Sequence, residues 1–528
     1  MAGRVLIIGL DAGTFDILLP FVERDLMPNL RRLIENGVCA TLRSTVPAVT
    51  SPAWPAMVTG LNPGKLGLFA MLNKRVGAQY DFAVASNCYH HRAIWSLIGR
   101  YGKRSIVCNV PVTYPPAPIN GCLVSGMLTP KGQLCTYPSA LMSELEAKGL
   151  LIDWEAQRDI DSTIALADEE TRLALFLMEN NEWDLFMTVF RATDMIFHLF
   201  PEREREVEAL FARVDAHLGR LIERADEQDT VFVVSDHGMT LQHEVINVNS
   251  LLQQAGLLKK REAEKDALNF AHSVIERVKQ NRLLQNPIFK NPLTRKLSQQ
   301  ISQRVESKRI DYGRDGRRLS RLAQSQIDWS GTKCFFVDLG YGSGVYLNLK
   351  GREPEGTVEP GEEYQALRSH ITELLSQQSG VIVRRREEVY SGPFVEMAPD
   401  LLLWTSDEKL GLDAKYLDLP VRQKRETKVY HHTGRGILIA CGPDIRRGCD
   451  LDRASIFDIA PTVLHLLGAP LPDDVDGAVL RRIFREDSEL ASKAASFQPA
   501  LRLPEQEVDV ESDDEVIKDR LRDLGYLH

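Results

Sequence analysis

The chain has 528 residues, a formal net charge of −9, and 44% hydrophobic and 26% charged residues. This is ordinary globular composition, long enough for about two to four folding units, and the acidic balance argues against a dedicated nucleic-acid protein. The eight cysteines, at 39, 88, 108, 122, 135, 334, 441 and 449, are scattered and form no CxxC pair, so neither a zinc ribbon nor a disulfide framework is indicated and they read as reduced thiols in the cytosol.

The first element is "VLIIGLD", a continuous apolar run ended by Gly9 and Asp11, which predicts a buried parallel strand. Its six apolar-run residues, Val5–Leu10, are too few for a secretory leader or a membrane span. No later stretch reaches about eighteen uninterrupted apolar residues, so a soluble cytoplasmic protein is expected. "MPNLRRLIENG" follows as an amphipathic helix, with Leu30, Leu33 and Ile34 on one face and Gly37 as its stop. "PAVTSPAWPAMVTG", Pro47–Gly60, is apolar and proline-studded. Its prolines argue against a helix across Pro47–Pro55 and predict a stiff loop that carries Thr50.

"SIVCNVP", "WDLFMTVF" (183–190), "DTVFVVSDHG" (229–238) and "GILIACGP" (436–443) read as further buried strands, separated by helical sequence. Strands alternating with helices predict an α/β fold with a mostly parallel sheet, whose ligands lie beyond the carboxyl ends of the strands. The stretch 251–330 differs. Between Lys259 and Arg321 it holds 17 Lys/Arg against 7 Asp/Glu and reads as a basic helical insert, or cap. That insert is either a solvated cap or a surface for an anionic partner; its few aromatics do not support single-stranded nucleic-acid stacking. The expected organisation is 1–250 and 331–485 as two parts of one catalytic domain, 251–330 as the insert, and 486–528 as a polar tail.

Four clusters carry metal-ligand chemistry. Asp11 ends the first strand. Asp194 and His198 in "ATDMIFH" are four apart, hence on one helical face. Asp236 and His237 end "VFVVSDHG", and Gly238 permits a tight exit. His431 and His432 precede "GILIACGP". Together they supply three carboxylates and at least two imidazoles, a set suited to zinc, manganese or iron and sufficient for two ions. His243 reads as a loop residue, and Asp215, His217, Asp458 and His465 read as structural.

Over nearly the whole chain outside the insert, the sequence resembles the alkaline phosphatase superfamily, in particular its type I phosphodiesterase/nucleotide pyrophosphatase branch. The resemblance rests on "GLDAGTFD", "VPAVTSPAWPAMVTGLNPGKLG", "NVPVTYPP", "DLFMTVFRATDMIFH", "VVSDHGM", "HHTGRGILIACGP" and "DIAPTVLHLLGAPLPDDVDG". It implies an alkaline-phosphatase-like α/β/α sandwich with an inserted cap. It also implies a metal-dependent phosphoric-ester hydrolase, most simply a phosphodiesterase acting on a small-molecule ester through a phospho-threonine intermediate. By the same resemblance Thr50 is the nucleophile and shares one metal with Asp11, Asp236 and His237. Asp194, His198 and His432 hold the other, with His432 preferred over His431 because it lies four residues before Gly436. Zinc is the first candidate, manganese and iron the alternatives.

The family's asparagine three residues after the nucleophile is replaced by Ala53, so a phosphoryl donor must come from Ser51 N–H, Asn109 or Thr113. Leu66 stands where relatives often carry histidine. Trp54 stands where a sulfatase needs arginine, which argues against that activity. A monoesterase, a phosphonate hydrolase, a phosphomutase and a non-catalytic binding protein using the insert remain the rival readings.

Overall fold

The computed structural model describes residues 3–70, 72–73, 82–83, 86–152, 159–261, 327–338, 343–414 and 418–501. Most of the basic insert, 262–326, and most of the tail, 502–528, lie outside the described residues. The insert's described ends pack inward: Leu251, Leu252, Leu257, Leu258 and Ile327 join one apolar cluster. The described start of the tail also lies against the body, where Phe497–Gln498 pairs in parallel with Leu471–Pro472.

The apolar runs form a nine-stranded sheet. Its order is Cys449–Ser455, Val38–Arg43, Arg435–Cys441, Thr230–Val234, Val5–Leu10, Leu185–Phe190, Ser105–Cys108, Gly121–Val124 and Thr136–Tyr137. Seven strands run one way; Arg435–Cys441 and Thr136–Tyr137 run against them. Val5–Leu10 sits between two parallel neighbours, Ile8 opposite both Thr188 and Val233. Such a strand buries both faces, which is why its sequence is continuously apolar. Ile7 faces one apolar layer, with Trp54, Trp95 and Leu464; Ile8 faces the other, with Phe186, Phe211 and Leu218.

The antiparallel direction of Arg435–Cys441 has a consequence for placement. Residues that precede this strand lie at the same sheet edge as residues that follow the parallel ones. His432 and Asp236 are thereby brought to one edge, although one comes before its strand and the other after.

Residues Cys334–Asp338, Ser343–Leu347, Leu401–Thr405 and Val381–Arg385 build a separate antiparallel four-stranded sheet covered by the helix Glu362–Ser376. Its polar centre is Asp400, fully buried. The carboxylate accepts from Arg352 at 2.6 and 2.7 Å, from Tyr364 Oη at 2.7 Å, from Leu347 N at 2.7 Å and from Arg386 at 3.2 Å. Burial opposes the charge, but these donors, led by Arg352, hold the carboxyl below the usual range. Removing that carboxylate takes away the acceptor shared by two buried guanidiniums, which keep only part of their charge compensation, from Glu353 and Glu396. Asp400→Ala is therefore expected to cost about 3–5 kcal/mol, measured by urea unfolding. An unchanged midpoint would contradict this reading of the hub.

The proline-rich stretch corrects the sequence expectation. Thr50–Thr59 is a helix, wholly buried, with Pro55 inside it. Thr50 is its first residue, so Pro52 falls in the first turn, where a missing N–H leaves no bond unmade. Pro55 removes only the bond to Ser51 O, and burial of all ten residues outweighs that local cost. Gly9 makes the close approach of this helix to the sheet feasible. A Cβ at Gly9 would lie 2.4 Å from Trp54 Cη2 and 2.8 Å from Val189 Cγ2. Gly9→Ala is expected to destabilise by about 1–3 kcal/mol and to lower kcat, because Trp54 belongs to the helix that carries Thr50. Wild-type stability and turnover in that variant would refute the packing argument.

Candidate metal centre

Every donor expected from the sequence lies at one edge of the central sheet. Asp11 follows Leu10, and its N–H donates to Phe190 O at 3.1 Å. The next residue, Ala12, has φ 61°, a left-handed conformation that costs an L-residue roughly 1–2 kcal/mol. That turn aims the Ala12 N–H at Asp236 Oδ1, 3.4 Å away. Asp194 and His198 share a face of the helix Ala192–Leu199, with His198 Nε2 3.1 Å from Asp194 Oδ1. His432 lies on Tyr430–Thr433, paired with Gly238–Leu241 so that His432 is opposite Met239. Its Nε2 is 3.3 Å from Asp194 Oδ1 and 2.8 Å from His198 Nε2. Its ring stacks on His237, with centroids 3.8 Å apart. His431 is its strand neighbour and, by strand alternation, presents to the opposite face.

Thr50 begins its helix beside these donors. Thr50 Oγ1 is 3.2 Å from His237 Nε2. The same nitrogen is 3.3 Å from Asp236 Oδ2 and 3.6 Å from Asp11 Oδ1. His237 Nδ1 lies 3.1 Å from Gly238 O; a proton on Nδ1 leaves Nε2 as a lone pair facing the cluster. Gly238 is required here by close approach: a Cβ would meet Arg435 O at 2.4 Å and Thr433 Oγ1 at 2.5 Å.

Asp11, Asp236 and His237 are almost completely buried, as is Thr50, while His198 is partly exposed. Among the described residues, both Asp11 oxygens and Asp236 Oδ2 make no hydrogen bond. Burial, reinforced by the other carboxylates, pushes the Asp11 and Asp236 carboxyls well above the usual range. Burial acts the same way on Asp194, but the adjacent His198 and His432 outweigh it and hold that carboxyl well below. Burial and the neighbouring His237 depress His432. A buried carboxylate pair without donors costs several kcal/mol per ion. A divalent cation removes that cost, so the donor set fits metal ions. Among the described residues, two groups have donor atoms mutually within 4.8 Å: Asp194, His198 and His432; and Asp11, Asp194 and His237. Asp194 is common to both.

Some residues outside the expected set shape the site. Thr193 Oγ1 bonds Asp11 O at 2.7 Å and Phe190 O at 2.8 Å, tying the Asp194 helix to the first strand. Buried Glu170 accepts from Arg191 N at 2.9 Å and fixes the turn that leads to Asp194. Nothing in "DEETRLALF" distinguishes Glu170 from a surface helix residue. Of the expected substrate contacts, Ser51 is fully buried in the first helical turn, where its N–H is among those without an intrahelical acceptor. Thr113 is engaged elsewhere: its hydroxyl donates to Val110 O at 2.6 Å and accepts from Gly126 N at 3.0 Å. Asn109 lines a separate cavity. His243 is exposed, and its backbone N bonds Lys409 O. Asp215 caps the helix Pro28–Asn36 through Asn29 N and Leu30 N, a structural role.

A buried cluster of carboxylates and imidazoles beyond the carboxyl ends of a mostly parallel sheet, with a hydroxyl at a helix N-terminus, defines an α/β protein with a candidate metal centre. The chain belongs to the type I phosphodiesterase/nucleotide pyrophosphatase family, whose model matches residues 5–433. It is thus a hydrolase acting on phosphoric ester bonds. Among solved structures it is similar to murine ectonucleotide pyrophosphatase/phosphodiesterase 5, at 13% identity and a TM-score of 0.49, over 91% of this chain and 100% of that one. The human protein of the same name gives 13% identity and a TM-score of 0.48, over 91% and 100%. Phosphonoacetate hydrolase from Sinorhizobium meliloti 1021, in complex with phosphonoformate, gives 16% and 0.48, over 89% and 96%. No curated protein matches the chain. Among the described residues no helix is long and apolar enough to cross a membrane.

Proposed function

We propose that the protein is a two-metal phosphodiesterase that works through a phospho-threonine intermediate at Thr50. The observation that carries this is Thr50 Oγ1 lying 3.2 Å from His237 Nε2, at the edge of a buried cluster of three carboxylates and three imidazoles. Asp11, Asp236 and His237 would hold one ion with Thr50; Asp194, His198 and His432 would hold the other. The shared position of Asp194 supports a pair of ions close together. Imidazole and carboxylate donors favour zinc, with manganese and iron as alternatives.

Bound cations supply Lewis acidity toward the phosphoryl oxygens and the threonine hydroxyl. The protein does the rest. Thr50 attacks phosphorus in line; the P–O bond to the alcohol breaks, and the proton given up by Thr50 ends on the leaving oxygen, which departs as the neutral alcohol. The Ser51 N–H and the helix N-terminus face the anion that develops there. Water then cleaves the phospho-threonine and restores the hydroxyl.

The substrate class is tested with bis-p-nitrophenyl phosphate against p-nitrophenyl phosphate on metal-replete protein. A higher kcat/KM for the diester is expected. A strong preference for the monoester would overturn the diesterase reading in favour of a phosphatase.

A further inference from the structure

Asn109 is a residue the phosphoryl chemistry leaves over. It ends the strand Ser105–Cys108 with φ 58° and is 1% exposed. Among the described residues, neither its side-chain nitrogen nor its side-chain oxygen has a partner. An amide that is both strained and unsatisfied costs roughly 1–3 kcal/mol for each unpaired group, so the position is suited to a ligand. It lines a cavity of about 210 Å³, the room of about seven waters.

The strand order sets the distance between Asn109 and the metal-donor cluster. Cys108 is opposite Thr188, on the strand whose end leads to Asp194, and the Asp11 strand is one further. At about 4.8 Å per strand, Asn109 is on the order of 10 Å across the sheet from Asp11. That is the reach of the alcohol part of a phosphate ester.

Its lining selects the alcohol. Ser125 Oγ is spent as a donor to Thr113 O, and Thr129 Oγ1 as a donor to Gly126 O, so both offer only lone pairs. The buried Asn109 adds an acceptor oxygen and two amide N–H donors, while Lys131, Gln133 and Glu146 of the same lining are exposed to solvent. Met142 and Leu173 supply an aliphatic wall, and among the described lining residues none is aromatic. A ligand rich in hydroxyl groups on an aliphatic frame satisfies this wall, whereas a nucleobase would find no ring to stack on among the described residues.

We infer that this cavity is the subsite for the alcohol portion of the ester, and that it takes a small aliphatic polyhydroxy group such as glyceryl. The inference rests on the phosphodiesterase reading for its function, but the cavity can be probed by binding alone. Asn109 then holds a hydroxyl of the alcohol and not a phosphoryl oxygen.

The test compares calorimetric binding of sn-glycerol 3-phosphate with that of inorganic phosphate, in wild type, Asn109→Leu and Met142→Trp. Met142 is half-buried, so its variant narrows the cavity from the rim with little risk to folding. Glycerol phosphate is expected to bind about tenfold more tightly than phosphate, and both variants should remove most of that advantage. Equal affinities in wild type, or an advantage that survives both substitutions, would overturn the subsite. In parallel, p-nitrophenyl esters whose second alcohol is methanol, glycerol or the thymidine 5′-hydroxyl are assayed by nitrophenolate release. A kcat/KM order led by the glyceryl ester supports the inference, and one led by the thymidine ester overturns it. No turnover of any ester, with the glycerol phosphate advantage intact, refutes the diesterase reading while upholding the subsite.

Discussion

Thr50→Ala is expected to lower kcat on the order of 10⁴-fold while leaving the fold and the bound metal largely in place. Thr50 is at the start of its helix, with no capping bond from its own side chain to defend, and its hydroxyl contacts only the His237 ring nitrogen within hydrogen-bond distance. Alanine has the higher helix propensity and fits the same buried space. The donors Asp11, Asp194, Asp236, His198, His237 and His432 are untouched. A nucleophile within a coupled site carries most of the rate, so its loss resembles loss of the whole machinery. Circular dichroism, metal content and turnover on a diester check the three parts together. Retention of most of kcat would refute the nucleophile assignment. Loss of metal in parallel would make Thr50 chiefly a ligand.

Asp194→Ala is expected to act differently, removing metal and activity together. Its carboxylate is common to both donor groups, and two imidazoles converge on its Oδ1 at 3.1 and 3.3 Å. Even residues that merely orient a ligand cost about 10–100-fold in metal affinity, so a shared donor should cost at least about 100-fold. Equilibrium dialysis followed by metal analysis should find fewer than two ions per chain, with activity restored, if at all, only at high added metal. Asp236→Ala should also lose metal, but with Asp194, His198 and His432 still in place. A variant lacking Asp194 that retained two tightly bound ions would contradict the shared position.

Much of the site was legible in the sequence because chain chemistry and chain geometry agreed there. "VLIIGLD", "LFMTVF" and "TVFVVSDHG" are buried from both faces, so their apolar runs and polar ends marked both the strands and the ligand edge. The spacing of Asp194 and His198 needed only helical periodicity. His432 could be chosen over His431 only through family resemblance; in the structure His432 Nε2 lies 3.3 Å from Asp194 Oδ1, while the adjacent strand residue His431 alternates to the other face.

What was not legible depends on tertiary context. The helix at Thr50 was hidden by Pro47, Pro52 and Pro55, because a proline rule cannot see that one falls in a first turn and that burial outweighs the bond lost to another. The direction of Arg435–Cys441 leaves no mark in its composition, yet it places His432. The Asp400 hub joins residues up to 53 positions away from it, as Leu347 N is, and so has no local pattern. The cavity that Asn109 lines draws on segments as far apart as Val124 and Leu173 and so leaves no local pattern either.

The central claim, that these buried donors make a metal-dependent phosphoesterase, is tested most directly by titrating zinc or manganese into chelator-treated protein while following bis-p-nitrophenyl phosphate hydrolysis. The account predicts no turnover without metal and activity that saturates as about two ions bind per chain. Turnover by metal-free protein, or a fully loaded protein with none, would contradict it.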